Sequence, residues 1–266
     1  MKAYIAYFKS EFLVGLQYKE AALAGLMTQF FWGILYAFIY EVFYGYTSVD
    51  SISLKQVMCY VWVNQILYAL IAPGVRDKKN SEDIKNGVVA YELCRPYDLY
   101  YWWFSKYLAK GYASFLLRCF PIILFALILP YPYNLSFPIS LNAFILFLIA
   151  TFLGTIIPTG IAMILQTVTF FTYHDKGIYS FVYIIQALLQ GFEIPIPLLP
   201  IILITISEFL PFRLINDLGA RIYSGNISIS YCLNSIVLQI IWIIILIIVG
   251  KLLMNHALKK VSIQGG

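Results

Sequence analysis

ISYCLNSIVLQIIWIIILIIVGKLL, residues 229–253, decides the fold class. Nothing polar interrupts it from Ile240 to Val249, and at 1.5 Å rise per residue the run is long enough to cross a ~30 Å hydrocarbon core as a helix. A spanning helix satisfies every backbone group internally, which hydrocarbon demands.

Working back from this stretch, five more apolar runs recur. They are Ala21 to Phe43, Leu54 to Pro73, Gly111 to Leu129, Leu141 to Phe171 and Ile178 to Gln190. The expected fold is an all-α integral membrane protein, a single transmembrane domain over residues 1–266 with six transmembrane helices. The run at Leu141 is longer than a bilayer requires and contains Pro158, so a tilted or kinked helix is expected there. The fifth run is short, and Gly191, Pro195, Pro197 and Pro200 interrupt the chain beyond it. Ile201 to Leu210 is only about half a span long, which suits a re-entrant extracellular segment over residues 191–228 before the last span. At the other end, Tyr4, Ile5, Phe8, Phe12 and Leu16 recur at helical spacing, so residues 1–20 read as an amphipathic interfacial helix. No apolar signal region precedes the first span, which is expected to act as the insertion signal itself.

Composition agrees. The 266 residues are 61% hydrophobic and 12% charged, with mean hydropathy +0.81, far more apolar than a soluble domain. The net charge of +5 is not a nucleic-acid signature, because the basic residues are sparse and flank the spans as the positive-inside rule expects. Cys59, Cys94, Cys119 and Cys232 lack the paired spacing of a zinc or redox site and read as small buried hydrophobes. Placing residues 74–100 in the cytosol puts 14 of the 18 basic residues on that side. Lys55, Arg213 and Arg221 fall outside, and Arg118 lies within the third span. Both termini are then cytosolic, in a multi-pass protein of the cytoplasmic membrane.

Residues 76–100, RDKKNSEDIKNGVVAYELCRPYDLY, are the one long polar interruption. Charges of both signs from Asp77 to Asp83 cannot face hydrocarbon. Ser81 is expected to cap a stub helix with Glu82 and Asp83 in its first turn, and Asn86 with Gly87 to stop it. Arg95-Pro96 then imposes an extended link, and Tyr100, Tyr101, Trp102 and Trp103 form an aromatic cluster suited to headgroup level.

No G-x-x-x-x-G-K-[ST] loop exists to cradle nucleotide phosphates. His174 and His256 stand alone, and no serine or cysteine has a histidine partner in the pattern, which argues against an embedded enzyme. Arg118 is expected to snorkel toward the cytosolic interface. Gln186 and Gln190 share one helix face with Glu193 a turn beyond. They are candidates to line a pathway, and interhelical hydrogen bonding is the alternative.

The pattern Asp83-Ile84-x-x-Gly87 followed by Leu93-x-Arg95-Pro96-x-Asp98-x-Tyr100 resembles the cytosolic loop of the ABC-2 type permeases, in their small six-span subunits without a fused ATPase. Ile194-Pro195-x-Pro197-Leu198-x-Pro200, Leu210-Pro211-Phe212 and Arg221-Ile222-Tyr223-x-Gly225 are similar to that family's extracellular part, and Val261 to Gly266 to its usual ending. The resemblance implies the permease subunit of an exporter for an amphipathic substrate such as a peptide, drug or lipid-like molecule. It implies partner ATPase chains that hold ATP and Mg, a second permease subunit, identical or a sibling, and surrounding lipids. Coupling to the ATPase would fall on Asp77, Glu82, Asp83, Ile84, Lys85, Gly87, Arg95 and His174, with help from the N-terminal helix. A secondary carrier or channel-like protein working without ATP is the alternative. Against it stand the lack of a clear internal repeat and of several intramembrane carboxylates.

Overall fold

The computed structural model describes residues 2–72, 77–172 and 175–260, all of whose regular structure is helical. In chain order the helices are α1 (Lys2–Gly15), α2 (Lys19–Tyr46), α3 (Leu54–Ile71), α4 (Lys78–Lys85), α5 (Val89–Leu93), α6 (Leu99–Ile128), α7 (Leu141–Val168), α8 (Lys176–Leu189), α9 (Ile201–Phe209), α10 (Asp217–Ser224) and α11 (Ile229–Lys260). Short 3₁₀ turns at Ile196–Leu198 and Phe212–Leu214 flank α9.

Four of these, α2, α6, α7 and α11, are long and apolar enough to cross a membrane. The other two expected crossings are helices at the expected places, but they are shorter, and α3 carries more polar residues. Burial explains the composition of α3. It runs through the middle of the bundle, buried almost continuously from Val57 to Leu67, so its surroundings are protein and not lipid. Asn64 is tolerable there because its side chain donates to the Gly191 and Phe192 carbonyls and accepts from Asn216, and the Gln65 backbone carbonyl accepts from Gln29. Trp62 packs where α2 offers Gly33, since a Cβ at that glycine would lie 2.7 Å from the indole. Around α3, one core joins Tyr60, Trp62 and Leu67 to Ile122, Ile157, Leu218 and Leu246 of α6, α7, α10 and α11.

Several local expectations change. The run expected to begin at Gly111 begins earlier, so Lys106 and Lys110 lie inside α6. Asp98 caps α6 by accepting from the Tyr100 and Tyr101 amides at 3.0 and 3.4 Å, so the helix starts at Leu99 and runs unbroken past Pro121. Tyr100 and Trp103 are buried inside the protein, so the aromatic cluster is only partly an outward belt. Cys94 is exposed and the other three cysteines are buried. The N-terminal helix α1 packs lengthwise along the first half of α6. Tyr7 stacks on Trp102 at 3.6 Å, Tyr97 stacks on the same indole at 4.1 Å, and Tyr4 Oη accepts from the Asp98 amide.

At one end of the bundle lie α4, α5, the starts of α2, α6 and α8, and the ends of α3, α7 and α11. The opposite end is closed by the chain from Gly191 to Gly225, which folds back onto α3 and α7.

Candidate functional site

Helix α4 is two turns long, and its start is set by Asp77, not Ser81. The Asp77 carboxylate accepts from the Asn80 amide at 3.1 Å. Ser81 lies inside the helix and is buried, while Glu82 and Asp83 fall in its second turn. The stop is as expected. Asn86 closes the helix and Gly87 comes next at φ +73, the left-handed conformation that glycine adopts without penalty.

Residues 77, 81 and 85 are spaced by four, which puts them on one face of α4. Each ties to a different long element. Asp77 receives Lys106 at 2.9 Å and Lys110 at 2.8 Å from α6, and its amide donates to Tyr107 Oη. Ser81 Oγ accepts from Gln166 Nε2 of α7 at 3.2 Å. Lys85 pairs with Asp175, at the start of α8, at 2.6 Å. The contacts interlock further. Lys106 Nζ also donates to Asn80 Oδ1 at 2.6 Å, and Tyr107 Oη and Tyr179 Oη both donate to Gln166 Oε1. Burial on its own would raise the Asp77 carboxyl. Its hydrogen bonds and charge contacts with Lys110 and Lys106 and the bond from the Asn80 amide outweigh that and bring it down to about 2. The cap is therefore a fixed anion at neutral pH.

The opposite face of α4 is free of the bundle. Lys78, Lys79, Glu82 and Asn86 are exposed there, and the surface continues through Val88, Tyr91, Cys94, Arg95 and Pro96. Tyr91 is 76% exposed. Such a surface, polar with one large aromatic and carried on a helix anchored at three points, suits a protein partner. Through these contacts α4 is tied to α6, α7 and α8 together. A fourth helix joins at the same end, where Lys251 of α11 is ion-paired with Asp98.

Residues 22–265 match the family model described as ABC-2 family transporter protein. The chain belongs to the ABC-2 transporter family. It is a multi-pass membrane protein and a membrane transport component. No curated protein and no solved structure matched.

The residues singled out in the sequence of this ABC-2 protein divide by position. Glu82, Gly87 and Arg95 are exposed. Asp77 and Lys85 face inward as anchors. Ile84 packs in a small apolar cluster with Val89, Leu99 and Trp103, and Asp83 lines a cavity of about 420 Å³ beside α1. His174 lies outside the described residues, as do Arg76 and the tail from Val261. The anchors Lys106, Tyr107, Lys110, Gln166 and Asp175 were not anticipated. Lys106 and Lys110 carried a signal, since two lysines four apart on one helix face call for a shared acid.

The pathway candidates also separate. Gln186 and Gln190 are buried, and Gln186 Nε2 donates to Gln190 Oε1 at 3.3 Å. Glu193 instead lines a cavity of about 250 Å³ with residues from α2, α3, α6 and α8. There its carboxylate accepts from Tyr36 Oη. Nearby, and also unanticipated, a polar lock holds the opposite end. Asn216 Nδ2 donates to Asn64 Oδ1 at 2.7 Å, Asn64 Nδ2 donates to the Gly191 and Phe192 carbonyls, and Tyr60 Oη donates to Asp217 at 3.0 Å.

Proposed function

We propose that this chain is the permease subunit of an ATP-binding cassette exporter, moving an amphipathic molecule across the cytoplasmic membrane under the drive of separate ATPase chains. The observation that carries this reading is α4, a discrete helix whose inner face is clamped to α6, α7 and α8 and whose outer face is presented at the end of the bundle. ATP and Mg belong to the partner, which binds and hydrolyses the nucleotide. Closure of the ATPase pair pulls on α4, and the clamp passes the displacement to the spans. A pair of permease subunits, with α3 and α8 completing six crossings in each, forms the membrane part, and both termini lie in the cytosol.

Two measurements test this. Purified alone, the chain is expected to show no ATP hydrolysis, and capture from native membranes is expected to bring an ATPase with it. Transport by a preparation free of any ATPase would rule the reading out. In a Cys94→Ser background, a cysteine at exposed Ser228 is expected to react with an impermeant thiol reagent from outside. One at Glu82 is expected to react only after permeabilisation, and the reverse pattern inverts the topology.

A further inference from the structure

Arg118 is an unusual placement of charge. It sits in the second half of α6, within the apolar stretch, and among the described residues no carboxylate lies within ion-pair distance. An arginine at such a depth normally has a partner or a route to water. Its guanidinium bends toward the end of the bundle that carries α4, as expected of a snorkelling side chain. It reaches only the Ala21 carbonyl, at 3.4 Å, and its Nε is buried with no acceptor. The space it occupies is made by Gly25, where a Cβ would lie 2.4 Å from the guanidinium.

Arg118 also borders two cavities. One, of about 420 Å³, opens beside α1 and α4 and is bordered by Lys79, Lys106 and Lys110 together with Glu11, Asp83 and Glu92. The other is the cavity of about 250 Å³ between α2, α3, α6 and α8, whose walls include Trp32, Tyr68 and Tyr183. Along α2 the second cavity runs from Gly25, beside the guanidinium, to Tyr36, which holds Glu193. Eleven residues separate these points, about 16 Å of helix, so the Glu193 carboxylate is not placed to neutralise Arg118. Between them Gln29, 3% exposed, donates to the Gln65 carbonyl and leaves its Oε1 without a donor. A positive group without its anion, an amide oxygen without its donor and an aromatic wall make a site that the described residues do not complete.

We propose that Arg118 is the anion-recognition point of an amphiphile site in this cavity. It takes a carboxylate or phosphate, while Trp32, Tyr68 and Tyr183 take the apolar or aromatic body. The first cavity supplies entry from the end bearing α4. This assignment rests on the transporter reading for its purpose, and binding itself can be read on the purified chain with no ATPase present. Failure of coupling and failure of this site are therefore separate results.

The probe is N-dodecanoyl-phenylalanine, compared with its neutral carboxamide, titrated against the purified chain in a non-ionic detergent. Trp32 fluorescence reports binding, with Trp32→Phe as the signal control. A charge-assisted contact predicts that the acid binds about tenfold or more tightly than the amide. Arg118→Gln is expected to erase that preference while leaving amide binding in place. Gly25→Ala, which retains the charge and evicts the guanidinium, is expected to reduce the preference as well, and it decides the matter if Arg118→Gln fails to insert. Displacement of the acid by dioleoylphosphatidylglycerol but not by dioleoylphosphatidylcholine assigns the site to a lipid headgroup. Failure of both lipids to displace it assigns the site to a transported amphiphile. Either result upholds the anion site. Equal affinity for acid and amide in the unmodified chain, or a preference that survives both substitutions, overturns it.

Discussion

At the end of the bundle that carries α4, long side chains reach across helices to pair opposite charges: Lys85 with Asp175, Lys106 and Lys110 with Asp77, and Lys251 with Asp98. At the opposite end, Arg213 pairs with Glu208 and Arg221 with Asp217 inside the closing segment itself, but that segment meets α3 through short amide, hydroxyl and carbonyl groups, with Asp217 Oδ1 the one carboxylate acceptor among them. The ionic end leaves one face of α4 open. The second end is closed, since Gly191, Asn216 and Asp217 are all buried. Flexible lysine stems keep their partners while a helix shifts by an ångström or so, whereas short buried amides hold only one geometry. Under the proposed function, the first end transmits movement and the second resists it.

The largest expected effect breaks the rigid end. Gly191 has φ +73, and a Cβ there would lie 2.1 Å from Tyr60 Oη. Gly191→Ala therefore combines backbone strain with a clash in a buried network. A loss of roughly 2–4 kcal/mol is expected, read as a clear fall in the thermal midpoint of the detergent-solubilised protein. A midpoint unchanged from the parent would show that this end does not fix the structure.

Next comes the ionic end. Asp77→Ala removes the cap of α4 and leaves Lys106, largely buried, without its carboxylate. A loss of about 1–3 kcal/mol is expected, concentrated at α4. Hydrogen exchange would show faster exchange of the amides over residues 78–85 with little change at α3. Uniform loosening of both ends would erase the distinction between them.

Legibility in the sequence divides along the same line. The run of charges from Asp77 to Asp83, bounded by Asn86-Gly87, marks a short helix outside the membrane because the signal is local and dense. The helix is indeed there, one turn earlier than Ser81 as cap implies, since an aspartate four residues upstream offers the amides a better acceptor. All four spans that meet the length and apolarity needed to cross were legible as apolar runs with bounds close to those observed, apart from the twelve residues by which α6 starts earlier. What escaped was every pairing between distant residues. Asn64, Asn216 and Asp217 are single polar residues among apolar neighbours, and nothing local says that they meet. Lys106 and Lys110 precede the apolar run that begins at Gly111, and periodicity says which face a residue occupies and not what stands opposite.

The smallest expected effect concerns pH. The Asp77 carboxyl is lowered from 3.8 to about 2. A depressed acid stabilises the fold fully above its unfolded pKa and loses that contribution as the pH falls through the folded value. Between about pH 7 and pH 5 the protection of α4 amides is therefore expected to stay constant, with any Asp77-linked loss confined to the window from about 4 down to about 2. Loosening of α4 near pH 5 would mean that another group holds the clamp.

The central claim is that α4 has an anchoring face and a docking face, and one capture experiment addresses it. Glu82→Ala with Tyr91→Ala removes two exposed side chains, so the amount of inserted protein is expected to stay near normal, each surface change being within about 0.5 kcal/mol. If the outer face is a partner surface, recovery of the co-captured ATPase should fall by about tenfold or more. Undiminished recovery of the ATPase, or a loss that merely tracks a loss of the permease from the membrane, would contradict the account.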